Sequence, residues 1–129
     1  MINSNVYDYV NVLDKALDAA SLRNQALANN LANATTPGYK RQDVSFETEL
    51  GKALGHNRFK SMDEKVGNVE LGRLKPRTYT DYAGYSYRVD GNNVDPDTEG
   101  VELAANQIKY NGLMAAVNQE FANLKLVTK

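Results

Sequence analysis

Apolar positions recur in steps of four and three at both ends of this chain, and the pattern lapses between them. Near the N-terminus the steps run through Val6, Val10, Leu13, Leu17, Ala20, Asn24, Leu27, Leu31 and Ala34. Near the C-terminus they run through Leu103, Gln107, Tyr110, Met114, Val117, Phe121, Leu124 and Thr128. A repeat of about 3.5 residues is the seam of a coiled coil. The sequence therefore predicts a mainly α protein: two long terminal helices pair as a coiled coil, with a small irregular or β-hairpin insert between them.

The first helix is predicted to begin near Asn5 or Asp8 and to run to about Ala34. Asn5 suits the N-cap position, and the negative charge of Asp8 suits the first turn of a helix. The helix ends at Thr35-Thr36-Pro37-Gly38, because proline disfavours helical geometry in the residue before it. Asn24 falls on the seam, where an asparagine can fix the register of two helices at a cost in stability.

The second long helix is predicted to begin after Asp95 and to continue to about Val127. Asp95 can cap it, and Pro96 suits the first helical position. A second apolar stripe runs beside the seam through Val101, Ala104, Ile108, Ala115, Ala122 and Leu126. A helix with two apolar stripes is expected to contact more than one neighbour.

The middle of the chain has a weaker pattern. We expect a short amphipathic turn over residues 46–54 and a loop or mobile segment from there to about Lys75. Aromatic and β-branched residues over 78–89 favour strands, and Asp90-Gly91-Asn92-Asn93 is a turn signal, so a small hairpin is predicted. The predicted organisation is an N-terminal helix in residues 1–40, a central region in 41–94 and a C-terminal helix in 95–129. Residues 1–40 and 95–129 form one helical domain.

The composition narrows the possible functions. The 15 basic and 16 acidic residues give a net charge of −1, which provides no support for nucleic-acid binding. The absence of cysteine excludes disulfides and thiolate zinc sites. The first residues have neither a basic leader nor an apolar segment, so we expect no secretory signal peptide. No stretch has the length of apolar sequence that a membrane-spanning helix needs.

The chain offers little that resembles an active site. His56 is its one histidine and lies in a predicted loop, where a solvated surface residue is the favoured interpretation. The acidic stretch from Asp90 to Asp97 lacks the spacing of a calcium-binding EF-hand loop. Four tyrosines could stack nucleic-acid bases, but a packed strand surface is favoured because no basic groove accompanies them: Tyr79, Tyr82, Tyr85 and Tyr87. We therefore expect no enzyme activity, cofactor, metal or small-molecule substrate.

The seams themselves suggest that the chain works by association. They are rich in alanine and asparagine, so an isolated helix pair would bury little apolar surface, and the rest is expected to contact other copies or other proteins. Two classes of function stay open on this ground. One is an assembling structural subunit, and the other is a coiled-coil adaptor that joins a soluble or envelope complex without polymerising.

The segment from Ala28 to Arg41 resembles the N-terminal signature of the bacterial flagellar axial proteins, which form the rod, the hook and the hook-associated structures. The residues that carry the motif are Asn29, Asn30, Asn33, Thr36, Pro37, Gly38 and Tyr39. Within that family the chain looks like the short proximal rod proteins, a resemblance that is weakest from Leu50 to Gly72. It is carried by Leu74-Lys75-Pro76-Arg77, by residues 90–95, by Asp97-Thr98-Glu99 and by residues 106–111.

This resemblance implies a structural subunit of the flagellar basal body, which polymerises through its terminal helices into a tube. The tube carries motor torque to the hook and forms the wall of the export channel. The expected partners are other copies, other proximal rod proteins, the rod-base adaptor and the flagellar type III export gate. The expected location is the cell envelope outside the cytoplasmic membrane, reached without a cleaved signal peptide.

Two sets of residues are candidates for these contacts. The seams and Ile108 of the second stripe supply the expected assembly interface: Val10, Leu13, Leu17, Asn24, Leu27, Leu31, Ile108, Tyr110, Met114, Val117, Phe121 and Leu124. Phe46 and Leu50 match in form a Phe-x-x-x-aliphatic motif that the export gate reads in early substrates of this family.

Overall fold

Two long helices dominate the fold, which confirms the predicted fold class. The computed structural model describes residues 4–82 and 88–129. A short 3-10 turn over Ser4–Tyr7 is followed by α1 (Asp8–Ala32), β1 (Gln42–Ser45), α2 (Glu47–Leu54), α3 (Met62–Gly67), β2 (Arg77–Thr80) and α4 (Pro96–Val127). The terminal helices α1 and α4 pack against each other, and the two short strands form one small sheet between them in the sequence.

The ends of α1 follow from local chemistry. The helix begins at Asp8, so the prediction of an acidic first turn is confirmed, whereas Tyr7 at the N-cap makes no side-chain cap bond. The cap predicted for Asn5 concerns a side chain outside the described residues. The helix ends at Ala32, slightly before the predicted Ala34, and the chain reverses at Gly38, whose φ of 73° favours glycine.

The predicted boundaries of α4 are confirmed. The Asp95 carboxylate accepts hydrogen bonds from the backbone N–H of Asp97 at 3.1 Å and from the Thr98 hydroxyl at 2.9 Å. Pro96 occupies the first turn, where its missing N–H costs nothing, and the helix runs to Val127.

The core of the chain lies between α1 and the central region. Ala19 of α1 packs with Phe46 and Leu74, and Leu50 and Val69 lie at the edge of this cluster. α1 therefore uses one face for the central region and another for α4, which places it in the middle of the subunit.

The small sheet is confirmed, but its strands are not neighbours in the sequence. β1 and β2 are antiparallel, with Gln42 opposite Thr80 and Ser45 opposite Arg77. The predicted strand over 78–89 therefore ends at Thr80, and Val89 lies in a turn. The expectation for Tyr85 and Tyr87 falls outside the described residues. β1 is short and its single apolar residue is Val44, so it offers no alternating pattern that would predict a strand.

The prediction of a loop between α2 and Lys75 is wrong in part, because α3 lies there. The Ser61 hydroxyl accepts a hydrogen bond from the backbone N–H of Glu64 at 3.2 Å, and Val66 is buried. Serine followed three residues later by glutamate is the signature of a capped helix start. That signal was present in the sequence and predicts the helix.

Among the described residues, none of the helices combines the length and the apolar content that crossing a bilayer requires. No group of acidic or histidine side chains in this part of the chain is arranged to hold a metal ion.

Candidate functional site

The seam predicted on α1 lies in the subunit's interior. Leu27 is buried, and the side chains of Val10, Leu13, Leu17, Asn24 and Leu31 are partly buried. On α4 the predicted interface residues separate into two groups. Tyr110, Val117 and Leu124 are partly buried, whereas Ile108, Met114 and Phe121 are exposed.

The seam of α4 that packs on α1 is therefore displaced from the predicted one. Its less exposed positions are Leu103, Asn106, Tyr110, Leu113, Val117, Glu120 and Leu124, which again step by three and four. The amide of Asn106 donates to the backbone oxygen of Ala20 and to the side-chain oxygen of Asn24, each at 2.8 Å. Gln107, which the prediction places on the seam, is exposed beside it, and its side-chain oxygen accepts a hydrogen bond from the Asn24 amide at 3.4 Å. Both sets fit a heptad and share every second position, so spacing alone could not distinguish them.

The exposed apolar residues of α4 form what we call the outer stripe: Val101, Ile108, Met114, Ala115, Phe121, Ala122 and Leu126. Ile108 is 73% exposed and Phe121 is 50% exposed. Every residue of the predicted second stripe is exposed: Val101, Ala104, Ile108, Ala115, Ala122 and Leu126. The outer stripe is thus a long apolar surface on the side of α4 that does not face α1.

The motif residue Asn30 lies fully buried where α1, β1 and α4 meet. Its amide nitrogen donates to the Gln42 oxygen at 2.8 Å, and the Gln42 N–H donates back to its side-chain oxygen at 2.9 Å. The Tyr39 hydroxyl donates to the same side-chain oxygen at 3.1 Å. Asn30 therefore pairs with β1 as a neighbouring strand would, which holds the end of α1 against the sheet.

The other motif residues shape the loop after α1. The Asn33 amide donates to the backbone oxygen of Asn29 at 2.8 Å, and the Thr36 hydroxyl donates to the Asn33 side-chain oxygen at 3.2 Å. The Gly38 N–H donates to the Asp90 oxygen at 2.7 Å, and Pro37 is exposed. Most of this motif acts within the subunit.

Glu99 and Arg41 join the motif loop to the start of α4. Glu99 is 1% exposed and accepts from Arg41 Nε at 2.5 Å and from the Asn30 amide at 3.1 Å. Arg41 also donates to Asp81 at 2.7 Å. Burial opposes the charge of Arg41, but its bonds to Glu99 and Asp81 outweigh burial and raise the guanidinium pKa. Burial and the charge of Glu99 likewise raise the pKa of Tyr39.

Asn92 completes this network from the other side. Its buried amide donates to three backbone oxygens of the loop that follows α1: Asn33 at 2.9 Å, Ala34 at 3.2 Å and Thr36 at 2.9 Å. Asn92 therefore holds the conformation of this loop. Sequence reasoning missed the joint role of Arg41, Asn92 and Glu99, because each also fits a simpler local role in a loop, a turn or a first helical turn.

A second polar cluster holds α2 against both long helices. Arg23 donates to the two carboxylate oxygens of Glu47, each at 2.7 Å, and Lys109 of α4 also bonds Glu47. The bonds from Arg23 are the main reason that the pKa of Glu47 lies well below its usual range. Beside this cluster, Phe46 is 4% exposed in the core, and Leu50 packs against it.

Comparison with known proteins identifies the family. A family model described as flagella basal body rod protein matches residues 11–40. A flagellar basal body rod protein FlgB of Bacillus subtilis is 35% identical over 116 residues, covering 89% of this chain and 88% of that protein. FlgB of Borrelia hermsii is 36% identical over 129 residues, covering 93% and 95%, and FlgB of Salmonella typhimurium is 36% identical over 108 residues, covering 74% and 75%. The chain therefore belongs to the FlgB family of flagellar basal body rod proteins, which are structural subunits of the rod and not enzymes.

Proposed function

We propose that this chain is a subunit of the proximal rod whose outer stripe packs against other copies and against other proximal rod proteins. The polymer forms a tube that encloses the export channel and carries motor torque to the hook. The observation that carries this proposal is the outer stripe itself, an apolar surface that extends from Val101 to Leu126 and is left open by the described residues of the subunit. Exposed apolar surfaces of this extent mark sites of association.

The charge distribution of α4 supports the same conclusion. From Leu103 to Gln119 its sole charged residue is Lys109, which bonds Glu47 within the subunit. A helix that faces solvent normally carries charges on its outer side. α1 does so, because Asp14 and Asp18 are exposed on it. α4 instead has the composition of a helix that neighbours enclose.

The arrangement of the central region leaves the outer stripe accessible. α2 and the sheet pack on α1, whereas α4 is joined to α2 by Lys109 and to Arg41, just before β1, by Glu99. Contacts between different surfaces of successive copies do not close on themselves, and they generate a helical polymer. Interlocked helices around such a tube would resist twisting, which torque transmission requires.

The same proposal includes export before assembly. We place the subunit outside the cytoplasmic membrane, delivered by the flagellar type III export gate without a cleaved signal peptide and seated beside the rod-base adaptor. Phe46 and Leu50 are the proposed gate motif. Because Phe46 lies in the core of the folded subunit, a gate can contact it only in a chain that has not folded.

Charged substitutions on the outer stripe test the assembly surface. Ile108→Asp and Phe121→Asp are made in cells that lack the native copy, and secretion of the subunit, rod assembly and motility are each measured. Both residues are exposed, so the subunit should fold and be secreted, but burying the new charge between subunits should prevent assembly. Gln25→Asp is the matched control, because it adds the same charge to the exposed side of α1.

The outcomes separate the two classes of function. Secretion without rod assembly in both stripe variants, with normal motility of Gln25→Asp, supports the proposal. Normal motility of the stripe variants contradicts polymerisation through this surface and leaves the coiled-coil adaptor as the function to test.

A further inference from the structure

Two buried polar side chains lie one heptad apart on the α4 seam. Glu99 and Asn106 are 1% and 3% exposed, and Leu113 and Glu120 continue the same row of positions. Each of the two bonds an asparagine of α1: Glu99 accepts from Asn30 at 3.1 Å, and Asn106 donates to Asn24 at 2.8 Å. The two residues of α4 are seven positions apart, and their asparagine partners on α1 are six positions apart, so both contacts form at once in a single register.

The contact at Asn106 is costly for stability. Its amide nitrogen has partners in Ala20 and Asn24, but its side-chain oxygen has no hydrogen-bond partner among the described residues. A buried polar atom left without a partner is unfavourable, and a leucine at a seam position would avoid that cost. A leucine at this position would therefore stabilise the helix pair better than Asn106 does.

Sliding α4 by one heptad would disrupt both contacts. In one direction Leu113 comes to face Asn24, and Asn106 takes the place of Glu99 beside Arg41. In the other direction Glu99 comes to face Asn24, without the guanidinium of Arg41 to neutralise its buried carboxylate. Each displaced arrangement leaves buried polar groups unpaired, so the native register is favoured over both.

We infer that Asn106 and Glu99, through Asn24 and Asn30, set the register of α4 against α1. One heptad of sliding moves α4 by about 10 Å along its axis. The register therefore fixes the position of the outer stripe along the axis of α4 relative to the central region. This position decides whether a neighbouring subunit can contact the outer stripe and the central region together. This inference concerns contacts inside one subunit, so its failure is distinguishable from failure of the proposed assembly surface.

Cross-linking of the purified chain measures the register, because the native sequence has no cysteine. Lys109 contacts Glu47 in the structure, so a short bismaleimide reagent should cross-link the pair Glu47→Cys and Lys109→Cys in the native register. Glu47→Cys with Ala116→Cys, or with Glu102→Cys, reports a slide of one heptad in either direction. The ratio of native to displaced cross-links is compared with and without Asn106→Leu. Asn118→Leu serves as the matched control, since it makes the same change on the exposed side of α4.

We expect Asn106→Leu to lower the ratio of native to displaced cross-links at least about tenfold, which corresponds to ~1.4 kcal/mol of lost discrimination. The urea midpoint of the same variant should be unchanged or higher, and Asn118→Leu should change neither quantity. An unchanged ratio in Asn106→Leu would overturn the inference. A lower urea midpoint would overturn it as well, because the asparagine would then be a stabilising contact and not a register device.

Discussion

The ion pair between Arg41 and Glu99 allows a quantitative test of the network around the motif loop. Arg41→Met removes the guanidinium but keeps much of the aliphatic stem, so the main change is the loss of charge and hydrogen bonds. It leaves the Glu99 carboxylate, whose side chain is 2% exposed, with the Asn30 amide as its remaining side-chain donor among the described residues. Breaking a buried pair by removing one partner costs ~3–5 kcal/mol. A domain of this kind is stable by only about 5–15 kcal/mol, so the variant should unfold much more readily.

A second substitution separates the buried charge from general loss of packing. If the unpaired carboxylate is the cause, then adding Glu99→Gln to Arg41→Met should restore at least ~1 kcal/mol of the lost free energy of unfolding. This value lies within the interaction energies measured between residues of one hydrogen-bond network. Asp81 is the matched control, because Arg41 also bonds it, but its side chain is 24% exposed and solvent screens its charge. Adding Asp81→Asn to Arg41→Met should therefore recover less.

The assay is urea unfolding of the native chain, Arg41→Met and the two double variants, followed by far-ultraviolet circular dichroism. Two results would refute the reasoning. One is a cost below ~1 kcal/mol for Arg41→Met, which is the range of an exposed ion pair. The other is equal recovery from Glu99→Gln and Asp81→Asn, which would mean that burial of Glu99 does not set the cost.

Two further predictions concern the packing of α2. Phe46→Ala should destabilise the chain by ~3–5 kcal/mol, because the side chain is buried with Ala19 and Leu74, whereas the exposed Thr48→Ala should stay within ~0.5 kcal/mol in the same urea titration. Equal costs would show that the cluster does not carry the core. Glu47 has a lowered pKa, so its stabilising effect is present above the ordinary carboxyl value of 4.5 and is lost as the pH falls towards the lower folded value. Urea midpoints measured below pH 4.5 should fall more steeply for the native chain than for Glu47→Gln, and parallel curves would contradict the assignment.

The long elements were predictable because their signals are local and strong. Asp95 and Pro96 mark the start of α4, and the proline and glycine after Thr36 mark the end of the preceding helix region. These residues act on the backbone next to them, so the helix ends that they mark can be predicted from the sequence alone. The capped start of α3 at Ser61 is a local signal of the same kind, so α3 is predictable from the sequence as well.

The parts that were not predictable depend on pairing between distant residues. β1 forms because β2 lies beside it and because the Asn30 amide pairs with Gln42, and neither cause is visible in four residues of sequence. Glu99 could be expected to favour the first turn of a helix, but its burial depends on Arg41, which lies far away in the chain. The polar network around the motif loop consists of such long-range contacts. The sequence alone therefore draws attention to some of its residues but does not show how they are arranged.

The displacement of the α4 seam by one residue says most about how this chain works. Leu103, Tyr110, Val117 and Leu124 belong to both the predicted and the observed heptads. The remaining positions could be filled inward either by Asn106, Leu113 and Glu120 or by Gln107, Met114 and Phe121, and the second set is the more apolar. A monomer selected for its own stability would bury Met114 and Phe121, because each large apolar side chain gains ~1.5–3 kcal/mol on full burial. This subunit instead turns the polar set inward, where it fixes register, and leaves Met114 and Phe121 on the outer stripe. The apolar stabilisation that the pair of α1 and α4 forgoes is then available to contacts between subunits, which is the distribution that a rod subunit needs.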